Sequence, residues 1–262
     1  MIKVSVIVTT YNRPEFLKET INSILNQTFV DFELIVVDNN SNYDFFKLID
    51  SLNDSRIKAF QNENNGIIAV NRNFGIKLSK GKYIAFCDDD DLWERDKLER
   101  QIKMTSQGYN FIFTNTKYFK SSKGLFKKFY SKYVISLIIN KVNNKISYFL
   151  LSVTNPIVNS SVLVKKNLIS KIKFNESIFY NATEDYQLWI QIYDSAKPYY
   201  IKKELVKYRI HENNFSSDLY KSLKRSLLVM NDFNSQNFCQ RLFKKFGIFF
   251  YSFRIFINKI LS

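Results

Sequence analysis

Apolar and polar positions in the first part of the chain follow two alternating patterns. Val4 to Thr9 is a continuous apolar and β-branched run, which is typical of a buried strand. Apolar residues then recur every three or four positions from Pro14 to Leu25, which predicts a helix with proline in its first turn. Phe32 to Asp38 is again almost continuously apolar. The three segments together predict a strand, a helix and a second, parallel strand.

The same alternation continues to about residue 90. Ile57 to Phe60 and Tyr83 to Cys87 have strand patterns, and Ile67 to Leu78 between them has a helical pattern. Strands that alternate with helices predict a mostly parallel sheet with helices on both faces. Ligands of such sheets bind beyond the carboxyl ends of the strands. The residues that follow three of the predicted strands are polar: Thr9 to Asn12, Asp38 to Ser41 and Asp88 to Asp91.

The rest of the chain is less regular. Between Phe111 and about Asn155 the pattern loosens, and the basic, aromatic stretches 117–120 and 127–130 receive no assignment. Residues 183–196 have a helical pattern, and Lys207 to Ile210 is predicted to be a last strand. Beyond this strand the composition changes, and the chain is expected to be helical, basic and aromatic to its end.

Composition narrows the choice of partner. Lys and Arg number 39 against 24 Asp and Glu, a net charge of +15, which favours an anionic partner or working surface. A nucleic acid, the phosphates of a nucleotide and an acidic membrane leaflet all satisfy this condition. Two cysteines make no disulfide framework, and the chain begins with a strand pattern instead of a signal peptide. These features predict a cytoplasmic protein.

The C-terminal segment has the pattern of a basic amphipathic helix. Its apolar residues recur at intervals of three and four, at positions Phe246, Phe249, Phe250, Phe253, Ile257, Ile260 and Leu261. Lys244, Lys245, Arg254 and Lys259 add positive charge. Such a helix either lies on an anionic membrane surface or packs its apolar face on the main domain. No apolar stretch reaches the roughly 18 residues that a membrane-spanning helix requires.

The acidic run from Asp88 to Asp91 is the strongest chemical signal. Four adjacent carboxylates repel one another unless a cation lies among them. An isolated run of this kind is more often a solvated turn or a helix cap. Here the run follows a buried strand at the predicted ligand-binding edge, which favours a divalent cation that bridges nucleotide phosphates.

Several segments, in their order and spacing, resemble family 2 glycosyltransferases of the GT-A fold. The matching segments are residues 4–13, 23–28, 36–41, 71–75, 81–86 and the acidic 88–91, which corresponds to the DXD region of the family, with further support from residues 183–189 and 208–211. The resemblance implies a Rossmann-like, mostly parallel sheet flanked by helices. It ends at about residue 217, so the basic helical segment is an extension of this fold.

The resemblance also implies a domain organisation. Residues 1–215 would form the glycosyltransferase domain, with a nucleotide-binding half over 1–91 and an acceptor and catalytic half over 92–215. Residues 216–262 would form a helical, membrane-associating tail. Because every candidate site residue precedes position 212, removal of the chain from about residue 240 onward is expected to leave donor hydrolysis largely intact.

The resemblance implies an inverting, metal-dependent, hexosyltransferase-type enzyme. It would move a sugar from a nucleotide-sugar, with UDP as the expected nucleotide, to a lipid-diphosphate-linked saccharide acceptor in O-antigen or capsule synthesis. Its location would be cytoplasmic and peripheral on the inner face of the cell membrane, with the anionic surface and the two substrates as partners and no nucleic acid.

Donor binding is assigned through the same resemblance. Thr9, Tyr11 and Asp38 would hold the base and the ribose, although Asp38 also fits the role of a turn cap. Asn39 stands where the family commonly has a second acidic residue, which weakens the assignment of the base. Arg72, and with less support Arg13, would pair with donor phosphates, and each also fits the description of an ordinary surface arginine.

The remaining site residues carry the chemistry. Asp185 matches the catalytic base of the family, which removes the proton from the acceptor hydroxyl, with Glu184 as a support or a helix cap. Asp90 is the expected ligand of Mg²⁺ or Mn²⁺, and His211, the only histidine, would complete the metal site or pack in the core. The acidic residues Asp88 and Asp89 are assigned to donor binding.

Two other functions are compatible with parts of the sequence. The positive charge and the mixed Lys and aromatic residues between positions 117 and 133 would suit a nucleic-acid-binding protein. The acidic run argues against it, because carboxylates repel a phosphate backbone. A nucleotidyltransferase would also use carboxylates and Mg²⁺ on a nucleotide, but would release pyrophosphate.

Overall fold

A computed structural model describes residues 2–120, 148–211 and 219–261 of the chain. Its strands are β1 (Val4–Thr10), β2 (Phe32–Asp38), β3 (Ile57–Gln61), β4 (Tyr83–Asp88), β5 (Leu92–Trp93), β6 (Phe111–Lys120), β7 (Leu163–Lys165) and β8 (Pro198–Ile210). They form an eight-stranded sheet in the order β3-β2-β1-β4-β7-β6-β8-β5. The first four strands in this order are parallel, as are β6 and β8, whereas β7 and β5 pair antiparallel with their neighbours.

Helices cover both faces of the sheet. They are α1 (Pro14–Leu25), α2 (Phe45–Asp50), α3 (Ile68–Leu78), α4 (Lys97–Ser106), α5 (Tyr148–Val153), α6 (Lys166–Ile169), α7 (Glu184–Ile192), α8 (Leu219–Asp232) and α9 (Phe238–Leu261). One apolar cluster contains buried residues of α1, α2 and α4, and the other contains buried residues of α3, α7, α8 and α9. Strands β1 and β4 supply both clusters, which explains their near-continuous apolar runs. The predicted α/β fold is confirmed.

The register of the central strands brings their polar ends together. Thr9 lies opposite Val37 on one side and opposite Asp88 on the other, and Thr10 lies opposite Asp38. All three strands are parallel, so their carboxyl ends meet at one edge of the sheet. The predicted position of the candidate site therefore follows directly from strand pairing.

The segment without an assigned fold begins with a long strand. β6 pairs in parallel with β8 along its whole length, with a shift in register around Asn115. The basic, aromatic stretch 117–120 thus lies within the sheet, whereas residues 127–130 lie outside the described residues. The predicted last strand, Lys207 to Ile210, is the final part of the longer β8.

The C-terminal helices share one of the two apolar clusters that pack on the sheet. Val229 of α8 is fully buried, and Tyr251 of α9 is 2% exposed. Both belong to the apolar cluster that contains Trp189 of α7. Gly247 leaves no room for a side chain, because an added Cβ would lie 2.5 Å from the carbonyl oxygen of Ser152. The expectation that residues from about 240 onward are removable conflicts with this packing, because their loss would expose that cluster.

The outward face of α9 is apolar and aromatic. Its exposed large residues are Phe238, Leu242, Phe246, Phe249, Phe253, Phe256 and Ile257. Phe149 of α5 extends this surface, since its ring centroid lies 5.1 Å from that of Phe246. We refer to these eight residues as the aromatic face. Within the described residues, no helix has the length and hydropathy needed to cross a bilayer.

Lys97, at the start of α4, is a fully buried lysine. Its Nζ lies 3.7 Å from the centroid of the Trp93 ring and 2.9 Å from Oε1 of Gln101. Burial lowers the pKa of Lys97 to about 7. The unfolded chain therefore binds a proton that the folded chain lacks between pH 7 and about 10.4, and stability rises with pH across this range.

We expect Lys97→Met to stabilise the fold near pH 6.5 and to lose most of this advantage by pH 9.5. The difference in unfolding free energy between variant and wild type should change by about 2–4 kcal/mol between the two pH values. Urea unfolding of both proteins at each pH measures this double difference, which removes the contribution of all other titrating groups. An advantage that is independent of pH would contradict the assigned pKa.

Candidate active site

The acidic loop after β4 is held by hydrogen bonds to the N-terminal βα unit. The hydroxyl of Thr10, at the end of β1, donates to Oδ2 of Asp89 over 2.8 Å. The hydroxyl of Thr20 on α1 lies 2.9 Å and 2.8 Å from the backbone carbonyl oxygens of Asp89 and Asp91. These contacts fix the loop at the carboxyl edge of the sheet. Burial and the charge of Asp90 raise the pKa of Asp89 to about 7.

Asp90 and His211, which the sequence analysis assigned to one metal site, lie in direct contact. Nε2 of His211 is 2.8 Å from Oδ2 of Asp90, and both residues are buried. His211 follows the end of β8 and packs against the ring of Phe16, with 5.4 Å between ring centroids. The guanidinium of Arg13 donates to the same Oδ2 over 3.0 Å and to Oδ1 of Asp89 over 3.0 Å.

This pair of side chains fits a divalent cation that is shared with a substrate. A carboxylate oxygen and an imidazole nitrogen are both suitable donors for Mn²⁺, and Mg²⁺ is often held by one or two carboxylates together with substrate phosphates. Among the described residues there is no cluster of three or more His, Cys, Asp or Glu side chains that could hold a metal alone.

Arg72 connects the acidic loop to helix α7. Its NH2 donates to Oδ1 of Asp88 over 2.7 Å, and its NH1 forms a very short contact with Oε1 of Glu184. Arg72 and Glu184 are only 4% and 3% exposed. Asp88 also accepts a hydrogen bond from Nδ2 of Asn159 over 2.9 Å. Arg72 is therefore a buried bridge, so a description of it as a surface arginine is wrong.

Asp185 lies at the start of α7, beside this bridge. Its carboxylate accepts the backbone N–H of Tyr186 over 2.6 Å, and both of its oxygens lie 3.4 Å from Nδ2 of Asn155. The residue is half-buried. Burial, followed by the charge of Glu184, raises the pKa of Asp185 to about 7, although Arg72 opposes this rise. A carboxylate with such a pKa is well suited to accept a proton near neutral pH.

Asp38 caps the turn after β2, which is the simpler of the two roles considered for it. It is fully buried, and its oxygens accept from the backbone N–H and the hydroxyl of Ser41 and from Nε2 of Gln61. Asn39 is half-buried, and its Oδ1 accepts the backbone N–H of Asn64 over 2.8 Å. Since this oxygen is already engaged, the Asn39 amide would meet a base most readily as a hydrogen-bond donor.

The other predicted donor-binding residues lie around the same edge. Thr9 is buried at the end of β1, whereas Tyr11 is 54% exposed. Nearby, burial and the charge of Asp38 raise the pKa of Tyr43 to about 12, so this residue keeps its phenolic proton.

Several supporting residues were not identified from the sequence. Ser160 donates to Oδ2 of the fully buried Asp91 and accepts the backbone N–H of Asp88. Arg209 donates through its backbone N–H to Asp91 and through Nε to the carbonyl of Asp90. The one available signal was the polar triplet Asn159 to Ser161 between apolar residues, which lies just beyond the segment without an assigned fold.

A model of the family described as glycosyl transferase family 2 matches residues 5–163, more than half of the chain. The chain belongs to glycosyltransferase family 2. The match covers β1 to the beginning of β7 and includes the acidic loop and Arg72. This confirms the resemblance that the sequence motifs indicated.

Similar proteins include named members of this family. An uncharacterized glycosyltransferase of Rickettsia bellii is 38% identical over 81% of this chain, but the match covers only 29% of that protein. This chain therefore spans about a third of the Rickettsia relatives it matches. The Escherichia coli protein WfgD is named as a UDP-Glc:α-D-GlcNAc-diphosphoundecaprenol β-1,3-glucosyltransferase. It is 31% identical over 88% of this chain and 86% of its own length.

Solved structures confirm the GT-A fold. S. aureus TarS 1–349 in complex with UDP-GlcNAc matches with a TM-score of 0.71 and 19% identity, over 92% of this chain and 70% of that chain. A mannosyltransferase of Pyrobaculum calidifontis in complex with GDP-Man and Mn²⁺ matches with a TM-score of 0.67 and 14% identity, over 95% and 73% of the two chains. At these identities the comparison concerns the fold alone.

Proposed function

We propose that the protein is an inverting, metal-dependent glycosyltransferase of the hexosyltransferase type. It transfers a sugar from a nucleotide-sugar, with UDP as the nucleotide, to a lipid-diphosphate-linked saccharide. The observation that carries this proposal is the buried bridge from Asp88 through Arg72 to Glu184, the neighbour of Asp185. In a family 2 chain, this bridge ties the end of the donor-binding strand to the carboxylate with a raised pKa.

Residues at the strand ends bind the donor. Tyr11 stacks on the base, while Thr9 and Asp38 line the base and ribose site, and Asn39 donates from its amide to a carbonyl oxygen of uracil. The 54% exposure of Tyr11 and the engaged oxygen of Asn39 support these roles. Asp88, with its partly exposed carboxylate, contacts the ribose.

Charged residues around the acidic loop hold the diphosphate. Arg13 lies beside the diphosphate, and Asp89 holds the guanidinium of Arg13. Direct phosphate contact by Arg72 remains a prediction, since both terminal nitrogens of Arg72 already hold carboxylates. Asp90 and His211 would bind Mg²⁺ or Mn²⁺. There the ion would neutralise the negative charge that develops on the departing nucleoside diphosphate.

Asp185 acts as the general base. It accepts the proton of the acceptor hydroxyl while this oxygen attacks the anomeric carbon from the face opposite the leaving diphosphate, so the anomeric configuration inverts. A single displacement needs one base, and no protein nucleophile is required. Asn155, 3.4 Å from both carboxylate oxygens, orients Asp185. The buried Glu184 fixes the start of α7 through its contact with Arg72.

The acceptor is assigned from the relatives and from the surface of the protein. WfgD and a Campylobacter jejuni relative bear names that place undecaprenol-linked diphosphate saccharides as their acceptors. In this protein, we assign the aromatic face to binding of an anionic membrane on the cytoplasmic side. The aromatic face includes Phe149 of α5, and Tyr186, which follows Asp185, contacts the carbonyl oxygen of Leu151 in the same helix. A docked membrane would therefore lie close to the catalytic helix.

Positive charge on α9 supports the assignment of this helix to an anionic membrane surface. Arg241, Lys245, Arg254 and Lys259 lie on this helix. Each basic residue near an anionic leaflet contributes about 1 kcal/mol. Lys244 has a different role, because its Nζ donates to the carbonyl oxygens of Asn231 and Phe233, both over 2.7 Å, and so caps the end of α8.

We expect the double variant Phe249→Ser, Phe253→Ser to weaken binding to vesicles that contain anionic lipid by at least about tenfold, because burial of each large apolar side chain is worth about 1.5–3 kcal/mol. The fold should persist, since the two side chains are 67% and 53% exposed. Vesicle co-sedimentation measures the effect. Phe46→Ser, at an exposed position on α2, is the matched control. Equal binding by the double variant and the control would contradict the membrane assignment.

A screen of sugar nucleotides tests the reaction itself. The full chain, incubated with Mn²⁺ and each donor in turn, should release a nucleoside diphosphate, and addition of a lipid-diphosphate saccharide should accelerate the release. Release of pyrophosphate from a nucleoside triphosphate would instead identify a nucleotidyltransferase. Absence of turnover with every donor and acceptor tested would count against the proposed function.

A further inference from the structure

Arg13 and the proposed metal site share one oxygen atom. Oδ2 of Asp90 lies 3.0 Å from NH1 of Arg13 and 2.8 Å from Nε2 of His211. The same NH1 lies 3.0 Å from Oδ1 of Asp89, so one guanidinium contacts both carboxylates. This oxygen is also the one through which Asp90 and His211 would hold a cation together.

Electrostatics makes the two arrangements exclusive. A divalent ion bound to Oδ2 of Asp90 would lie at about 2–2.2 Å from that oxygen. A guanidinium that donates to the same oxygen would then face the ion across a few ångströms, where like charges repel strongly in a buried setting. Arg13 must therefore leave Asp90 when the ion arrives, while its contact with Asp89 can persist.

The position of Arg13 makes such a movement feasible. Arg13 precedes α1 as its N-terminal cap residue, and its side chain is 24% exposed, whereas those of Asp89 and Asp90 are 7% and 10% exposed. The carboxylates are thus fixed in the loop, and the longer, partly exposed arginine is the member that can move. Its guanidinium can form paired hydrogen bonds with phosphate oxygens as readily as with carboxylates.

We propose that Arg13 is an internal cation that occupies Asp90 before substrate binds and moves to the donor diphosphate when a divalent ion takes its place. This inference rests on the proposed function, because it requires the metal and the diphosphate to bind at this edge. Arg13 then has two opposite effects. It weakens metal binding to the free protein and strengthens binding of the nucleotide once metal is present, so that metal and nucleotide bind cooperatively.

Arg13→Gln separates these effects. Without nucleotide, the dissociation constant for Mn²⁺, measured by electron paramagnetic resonance of the free ion, should fall by about five- to tenfold relative to wild type. With saturating Mn²⁺, the dissociation constant for UDP, measured by calorimetry, should rise by a similar factor. The same net charge is removed by Arg56→Gln, at the opposite edge of the sheet, and this control should change neither constant appreciably. Arg13→Lys, which retains the charge, should lie between wild type and Arg13→Gln.

The outcomes distinguish this inference from the function on which it rests. If Arg13→Gln stays folded by circular dichroism and binds Mn²⁺ no more tightly than wild type, the role of Arg13 is overturned while metal-dependent donor binding stands. A parallel change in Arg56→Gln would reduce the effect to net charge and would also overturn it. If wild type binds UDP equally with Mn²⁺ and with EDTA, the metal dependence of the proposed function fails as well.

Discussion

Asp185→Asn is expected to lower kcat for sugar transfer by about 10²- to 10⁴-fold, with little change in donor affinity. Asparagine keeps the size of the side chain and can still contact Asn155, but it cannot take the proton of the acceptor hydroxyl. Transfer rates at saturating substrate measure kcat, and calorimetry with the nucleoside diphosphate measures donor-site affinity.

Asp194→Asn is a suitable control for this variant, because Asp194 is an exposed carboxylate just beyond the end of α7. It should transfer sugar at nearly the wild-type rate. NMR of the product from the wild-type enzyme should show a configuration inverted relative to the donor. Near-normal transfer by Asp185→Asn, or a retained configuration, would refute Asp185 as the base of a single displacement.

The raised pKa of Asp185 also predicts how the reaction depends on pH. The base must be ionised to accept a proton, and its pKa is about 7. We therefore expect kcat/KM, which reports the pKa of the free enzyme, to fall about tenfold per pH unit below this pKa and to level off above it. The residual activity of Asp185→Asn should lack this slope. A flat profile between pH 5.5 and 8 in wild type would show that another group controls the rate.

Asp90→Ala should abolish the metal-dependent part of nucleotide binding. Even residues that only support a metal ligand change metal affinity by about 10- to 100-fold, so loss of a direct ligand should cost at least this much. Titration of UDP in the presence of Mn²⁺ and of EDTA should show a large difference for wild type and almost none for the variant.

Asp31→Asn removes one exposed carboxylate at the opposite, amino-terminal edge of the sheet and serves as the control. It should retain the full response to Mn²⁺. If Asp90→Ala keeps the response as well, the ion binds elsewhere and the assignment of Asp90 and His211 is wrong.

The first half of the fold was predictable because its signals are local. β2 has the predicted bounds, Phe32–Asp38, and β1, α3 and β4 differ from their predictions by a single residue at one end. Strands buried on both faces require continuous apolar runs, and the helices between them require a spacing of three and four. Because parallel strands end at one edge, the meeting of Thr9, Asp38 and Asp88 followed from the pattern as well.

β6 was not predictable in the same way. Residues 117–120 are two adjacent aromatic residues flanked by lysines, a sequence without the alternation of a typical strand, and they form a strand by pairing in parallel with β8. That partner lies more than 80 residues further along the chain. A local sequence pattern does not indicate a strand partner at this distance. The contacts of Asn155 with Asp185 and of Asn159 with Asp88 were not predictable for the same reason.

For the C-terminal helix, the sequence did not decide between membrane binding and packing on the domain. The periodicity of α9 established an apolar face and a basic complement, with membrane binding and packing on the domain as alternatives. The structure contains a buried side around Tyr251 and a separate exposed aromatic face. A helical repeat gives the angle of each residue around the axis, but only the neighbouring helices decide which angles are covered.

Sequence by itself determined the family, the alternation of strands and helices along the first half of the chain, and the edge at which polar side chains gather. Only the tertiary structure decided whether each charged group is buried and which groups it pairs with. The position of Arg72 on its helix does not reveal whether its side chain is exposed or buried. The structure places it between Asp88 and Glu184, which lies 112 positions further along the chain, so that Arg72 is a buried bridge. Burial and pairing depend on what lies nearby in space, and residues distant in sequence provide those neighbours.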